Sequence, residues 1–213
     1  DMLHWIRNNE RVLSSMYGDL LEHHRLKALK EVSTIQDMLE LCSINYYCPM
    51  DAGSTSIGDD KYDIHASHNV LEHIPKNVLF KILTNARRVL QQDGIAVHLT
   101  DHTDHWGKKC RTISPFNFLR FSEATWNIIA NNKYAFLNRL RVNELVEIFK
   151  EADFRLLKAD EEIDTRDVDW VKKNHRNLES RFHKYSPESI AVHTSLILAK
   201  ANDKTNGVRV TVD

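Results

Sequence analysis

The 213-residue sequence predicts an α/β fold, a mostly parallel sheet closed by a final antiparallel strand, and three observations predict it. First, β-prone runs at 62–67 and 95–100 flank an amphipathic stretch at about 77–91, the strand, helix, strand order of a parallel crossover. Second, a helical pattern at 142–152 leads directly into a further strand at 154–159. Third, the run at 190–199 follows that strand without a full crossover helix, so it reads as antiparallel.

Residues 2–43 are helical, with Leu13, Met16, Leu20 and Leu21 at helical spacing, then Ile35, Met38, Leu39 and Leu41. Ser33 or Thr34 caps the later helix, with Asp37 one turn on. A short strand is expected at 44–48, stopped by Pro49 and followed by the turn-forming Asp51-Ala52-Gly53. The helix at 77–91 buries Val78, Leu79, Ile82, Leu83, Ala86, Val89 and Leu90, and Asp93-Gly94 ends it in a left-handed exit. Residues 101–137 are a polar and aromatic insertion. The helix at 142–152 buries Leu145, Val146, Ile148 and Phe149, and the charged stretch at 160–187 is part helix and part loop. The whole reads as one domain over 1–213.

Composition narrows the function classes. Hydrophobic residues make up 42% and charged residues 28%, an ordinary globular balance. A net charge of -1 argues against a broad electrostatic footprint for nucleic acid. No apolar run approaches the roughly 20 residues that span a bilayer. Cys42, Cys48 and Cys110 are too scattered for a disulfide framework, so a reducing, cytoplasmic location is expected. The chain begins at Asp1 rather than methionine, which leaves room for a trimmed targeting segment.

The segment Tyr62-Asp63-Ile64-His65-Ala66-Ser67-His68-Asn69-Val70-Leu71-Glu72-His73-Ile74 carries the strongest signal. About twenty residues later comes Ala86-Arg87-Arg88-Val89-Leu90-Gln91-Gln92-Asp93-Gly94. Together they resemble the fourth strand, Val-Leu-Glu-His turn and following helix end of Rossmann-like S-adenosylmethionine-dependent methyltransferases. The resemblance implies S-adenosylmethionine as cofactor. It places Asp51 and Ala52 near the adenine, and the backbone at His68, Asn69 and Val70 along the cofactor pocket. A carboxylate at the carboxyl end of a parallel strand is also where α/β sheets bind ligands, although Asp51 equally suits a simple Asx turn. Residues 98–105, 118–122 with Trp126, and 138–141 resemble a narrower methyltransferase group found in bacterial glycan and surface-polymer gene neighbourhoods. One departure is plain: no Gly-x-Gly loop occurs among the six glycines, and the family's ribose-binding acid is missing too. An upstream segment that completes the sheet is therefore expected, leaving an opening beside 44–51 and 64–70.

His98, Asp101, His102, Asp104 and His105 gather at the end of one central strand, and His65, His68, Glu72 and His73 at the end of its neighbour. Both groups belong at one cleft on the carboxyl edge. Alternation gives His98 a hydrogen-bonded, partly buried place beside Thr100. His102 and His105 are the favoured acceptor-side groups, with Asp101 and Asp104 as orienting carboxylates. A general base, a structural scaffold and a metal site all remain open. The metal signal is weak, because neither His-Glu-x-x-His nor Cys-x-x-Cys occurs. Glu72 is placed to meet the amino end of the next helix. Arg139 and Arg141 suit an acidic acceptor, or else ion pairs to Asp101, Asp104 or Glu144. Trp106, Phe116, Phe118, Phe121 and Trp126 either wall an acceptor pocket or build the core of the insertion.

Three functions are weighed. The first is methyl transfer from S-adenosylmethionine to an oxygen or nitrogen of a small or glycan-like acceptor. The second is a methyltransferase-like binding or scaffold module without catalysis. The third is a metal-dependent hydrolase built on the histidines.

Overall fold

The computed structural model describes residues 2–20, 22–54, 62–105, 107, 112–130 and 136–202. Leu21, Trp106 and Cys110 lie outside them. The chain forms two compact units, Asp1–Met50 and Asp51–Asp213, where the sequence reads as one domain.

The first unit is helical: α1 (Met2–Asn8), α2 (Glu10–Tyr17), α3 (His23–Glu31) and α4 (Ile35–Leu41). Thr34 caps α4 by accepting a hydrogen bond from the backbone N–H of Asp37 at 3.1 Å, as its position in the sequence suggests. The strand expected at 44–48 does not form. Ser43 exits α4 with φ 55°, and the N–H of Ile44 reaches back to the carbonyl of Leu39 at 2.8 Å. That Schellman-type closure uses the amide a strand would have needed for its ladder.

The second unit carries the sheet: β1 (Tyr62–His68), β2 (Leu90–Asp101), β3 (Phe154–Ile163) and β4 (Val192–Ala201), in the order β1-β2-β4-β3. β1 pairs parallel to β2, and β4 runs antiparallel to both β2 and β3. Three strands therefore point one way and the last strand runs against them, as the sequence predicts. The helix α5 (Lys76–Val89) makes the crossover from β1 to β2. It buries Leu79, Leu83, Ala86 and Val89.

Gly94 does not end α5 in a left-handed turn. Only Gly18 among the described glycines has positive φ, and the chain passes from α5 straight into β2 at Leu90. Close approach explains the glycine instead. A Cβ at Gly94 would lie 3.0 Å from the carbonyl oxygen of Tyr62 and 3.1 Å from that of Asp63, where the β1–β2 register shifts.

The helix α7 (Val142–Glu151) packs beside α5 on the same sheet face, and Leu145, Ile148 and Phe149 join Ala96, Ile197 and Ala199 in the main core. A second core gathers Phe116, Phe118 and Trp126 of the insertion with Val168, Val171, Phe182 and Ile190. These come from α6 (Glu123–Ile129), α8 (Thr165–Asn174), α9 (Pro187–Ile190) and the loops between. Phe116, Phe118 and Trp126 thus build the core of the insertion, with Phe121 packed against it, rather than an open wall. Ile190 and Ala191 lead into β4, whose first residues pair with the end of β2, so this second core sits at the carboxyl edge of the sheet.

Candidate functional site

The site is built where β1 and β2 end side by side. Alternation along β2 sends Ala96, His98 and Thr100 into the core and leaves Ile95, Val97 and Leu99 only partly buried. His98 is fully buried, with its ring nitrogens 2.7 Å from Ser67 Oγ and 3.2 Å from His65 Nδ1. Burial, reinforced by His65, pushes its pKa down to about 3. It is neutral and structural.

His102 continues that alternation. Its N–H donates to the carbonyl of His193 at 2.7 Å, its ring is 3% exposed, and both ring nitrogens are engaged. Nδ1 donates to the carbonyl of Leu140 at 2.9 Å, and Nε2 lies 2.8 Å from Ser195 Oγ. A carbonyl can only accept, so the neutral ring carries its proton on Nδ1. Burial, then the nearby Arg141, push the pKa down to about 3. The expectation that His102 faces an acceptor is thus at odds with its place in the fold, where it is a scaffold residue.

His105 is different. It is half-buried, and its Nε2 lies 3.4 Å from Asp101 Oδ2. Asp101 Oδ1 accepts from the N–H and the hydroxyl of Thr103 at 2.9 and 2.6 Å, so the carboxylate is held in place. Asp104 is buried in the loop, its N–H donating to the carbonyl of Pro115 at 2.8 Å. His105 with Asp101 is an imidazole–carboxylate pair with access to solvent, the arrangement a general base uses.

Leu71–His73 forms a 3-10 turn directly after β1. Glu72 is 3% exposed, and neither of its carboxylate oxygens has a hydrogen-bond partner among the described residues. It therefore does not cap α5. Burial raises its pKa, partly offset by His73 and by the backbone N–H groups of Glu72 and Asp101, which come near the carboxylate without meeting hydrogen-bond geometry. His73 is exposed, its Nδ1 2.8 Å from the carbonyl of Phe136 and its Nε2 3.9 Å from Glu72 Oε1. The rings of His73 and His105 meet at 5.0 Å between centroids.

The segment 136–141 straps this edge. Asn138 donates its side-chain amide to the carbonyls of Leu71 and Ile74, both at 2.8 Å, and its Oδ1 accepts from the N–H of Leu140 at 2.9 Å. Sequence reasoning noticed the segment for its arginines and missed this asparagine. Replacing Asn138 with Ala is expected to cost about 2–3 kcal/mol, since it strands backbone groups that are partly or wholly buried. Urea denaturation checks it, and a loss below about 0.5 kcal/mol would mean that water replaces the amide.

Arg139 and Arg141 are both 1% exposed. Arg139 pairs with Glu123 at 2.5 Å and Glu179 at 3.1 Å, and donates to the carbonyl of Phe121 at 2.6 Å. Arg141 donates to the carbonyl of His102 at 2.9 Å and that of Ile190 at 3.3 Å. Burial pushes its pKa down to about 9. Neither guanidinium faces an open cleft. The carboxylates that hold Arg139 come from α6 and the loop after α8, not from the residues nearest in sequence.

Of the cofactor candidates, His68, Asn69 and Val70 are exposed at the end of β1. Asn69 takes φ 53°, a conformation asparagine tolerates, and its N–H donates to the carbonyl of Leu99 at 2.9 Å. Backbone presented there fits a ligand-lining role. Asp51 and Ala52 sit in an Asx turn, not at a strand end: Asp51 Oδ1 accepts from the N–H of Gly53 at 2.9 Å. The carbonyl of Ala52 accepts from Asn85 of α5 at 3.0 Å. A separate cavity of about 560 Å³ lies within the first unit, lined by residues such as Gln36, Leu39, Tyr46 and Tyr47, and contains none of these groups.

The fold is an α/β unit of three like-directed strands and one antiparallel strand, with exposed backbone and two neighbouring imidazoles at the carboxyl ends of two parallel strands. The chain matches no family model and no curated protein. Among solved structures it is similar to an S-adenosylmethionine-dependent methyltransferase from Clostridium acetobutylicum, at 9% identity and TM-score 0.44, covering 86% of this chain and 73% of that one. Another S-adenosylmethionine-dependent methyltransferase, from Methanosarcina mazei, is 14% identical with TM-score 0.42, over 71% and 65% of the two chains. The [4+2]-cyclase SpnF is 12% identical with TM-score 0.44, over 87% and 63%. The chain thus spans about two thirds of the length of such proteins, and likenesses at this level assign no activity. Among the described residues no helix is long and apolar enough to cross a membrane.

Proposed function

We propose that this chain belongs to an S-adenosylmethionine-dependent methyltransferase that modifies an oxygen or nitrogen of a small or glycan-like acceptor. The observation that carries the reading is the edge of β1 and β2. There the turn after β1 presents the backbone of His68, Asn69 and Val70, and the loop after β2 presents His105 braced by Asp101. Exposed backbone at a strand end is what a cofactor needs, and an oriented, solvent-accessible imidazole is what removes a proton from an attacking acceptor. In this reading His68, Asn69 and Val70 line the methyl-donor side, Asp51 and Ala52 the adenine side, and His105 with Asp101 the acceptor side. His102 and Asp104 hold the loop.

Calorimetric titration of the full-length protein with S-adenosylmethionine and its demethylated product is the test. Saturable binding is expected. Asp51→Ala should weaken it by about 1–3 kcal/mol, through loss of a charge-assisted hydrogen bond. His105→Ala should leave cofactor affinity unchanged and lower turnover. No binding at millimolar cofactor would remove the enzyme reading and favour a scaffold module, which the lack of any Gly-x-Gly sequence also suits.

A further inference from the structure

We infer that Glu72, His73 and His105 form a binding site for a divalent first-row transition ion at the carboxyl edge of β1 and β2. One ligand atom from each of the three lies within 4.8 Å of the others. Ligands at roughly 2.0–2.2 Å from an ion are about 3–3.5 Å apart, so closure takes a side-chain shift of about 1 Å. His73 is exposed and His105 half-buried.

The chemistry of the contact asks for a cation. His73 Nδ1 faces a carbonyl, which can only accept, so the neutral ring keeps its proton there and its lone pair on Nε2. That lone pair faces Glu72 Oε1 at 3.9 Å. Two acceptors aimed at each other need a proton or a cation between them. Glu72 sits on the buried side with both oxygens unpartnered among the described residues. Behind it, the space enclosed by Asp101, His102, Arg139 and Arg141 is too small to hold a water molecule. The outer side, where His73 and His105 stand, is where a cation can reach it. Asp101, 3.4 Å from His105 Nε2, is the kind of carboxylate that orients a ligating imidazole.

Two imidazoles and one carboxylate favour zinc, iron, cobalt or manganese over magnesium or calcium. Three protein ligands also leave coordination positions open, as catalytic sites do and closed structural sites do not. The open positions face solvent between His73 and His105. An oxygen ligand bound there would have its pKa lowered by the ion, which would take over the proton-removing part that a free His105 plays.

The experiment uses untagged, chelator-stripped full-length protein, titrated without S-adenosylmethionine. Cobalt(II) is followed by visible absorption and zinc(II) by calorimetry. One ion per chain is expected, and zinc should raise the melting temperature. His73→Ala, His105→Ala and Glu72→Gln should each weaken binding by about 100-fold. His24→Ala, a change at an exposed histidine of the first unit, should leave it unchanged. Glu72→Gln also serves when an alanine variant misfolds, because it preserves shape. If that variant is as stable as the parent, and the parent shows no stoichiometric ion and no thermal response, Glu72 is merely a buried protonated acid and the inference fails. It fails equally if ion binding survives His73→Ala and His105→Ala. Ion binding without cofactor binding keeps this inference while removing the methyltransferase reading, and the reverse result does the opposite.

Discussion

Replacing Arg139 with Met is expected to destabilise the protein by about 3–5 kcal/mol, the range for removing one partner of a buried ion pair. The guanidinium is wholly buried and ties four places together: Glu123 on α6, Glu179 in the loop after α8, and the carbonyls of Phe118 and Phe121. It also lies over the rings of Trp126 and Phe182, at 5.5 and 5.9 Å. Methionine keeps the apolar stem and loses every donor, so the carbonyl of Phe121 loses this partner and the mostly buried Glu179 keeps only the N–H of Glu123 and the partly exposed Arg181. Arg139→Lys should recover only part of the loss, because one ammonium cannot reproduce the guanidinium fork. Glu123→Gln should cost under about 1 kcal/mol, since that carboxylate is half-exposed and Glu179 remains. Urea denaturation measures all three. A loss under about 1 kcal/mol for Arg139→Met would show that the buried charge is no rivet.

The arginines mark where the sequence stops being legible. Two of them in four residues read as a recognition pair, because arginine is normally exposed and its fork suits acidic ligands. Most of what satisfies them lies 16 to 49 residues away, in carbonyls and carboxylates that no local pattern announces, with the carbonyl of Arg139 a nearer acceptor for Arg141. The sheet was readable for the opposite reason. β1, α5 and β2 each carry their own periodicity, and the last strand follows β3 too soon for a parallel return. The strand expected at 44–48 failed because a strand exists only with a partner, and Ile44 had a nearer use for its amide in closing α4.

His102 is the instructive miss at the site. The sequence reads it as a loop residue able to swing toward an acceptor, yet β2 runs on to Asp101 and the next amide still bonds across to His193. Counting by twos from Ala96 through His98 and Thr100 puts His102 in the core, a signal the sequence held. His105 lies past that ladder and keeps its access. Glu72 was illegible, because nothing in the sequence says that the turn after β1 lies under the strap at 136–141.

The second large effect is on acid stability. His98 and His102 each have a native pKa near 3 against an unfolded value of 6.5. Above pH 6.5 both are neutral in either state, and their protonation costs the fold nothing. As pH falls from 6.5 towards 3, the unfolded chain takes up two protons that the native chain refuses, so stability falls with pH. The slope is about 1.4 kcal/mol per pH unit for each imidazole, or roughly 2–3 kcal/mol each by pH 4.5. Carboxylates held below their ordinary values, such as Asp164 beside Arg166, matter only at lower pH, whereas the raised pKa of Glu72 acts in the opposite direction. The window from pH 6.5 to 4.5 therefore reports chiefly on buried imidazoles, His98 and His102 foremost, with His65, whose pKa burial also lowers, adding in the same direction. His102→Gln tests one of these contributions. A glutamine amide can donate to the carbonyl of Leu140 and accept from Ser195, but cannot take a proton in this range. Stability measured by urea denaturation at half-unit pH steps should fall more gently in the variant, by about 1.4 kcal/mol per unit. An unchanged slope would mean that His102 titrates alike in both states, and the buried, neutral imidazole would have to be abandoned.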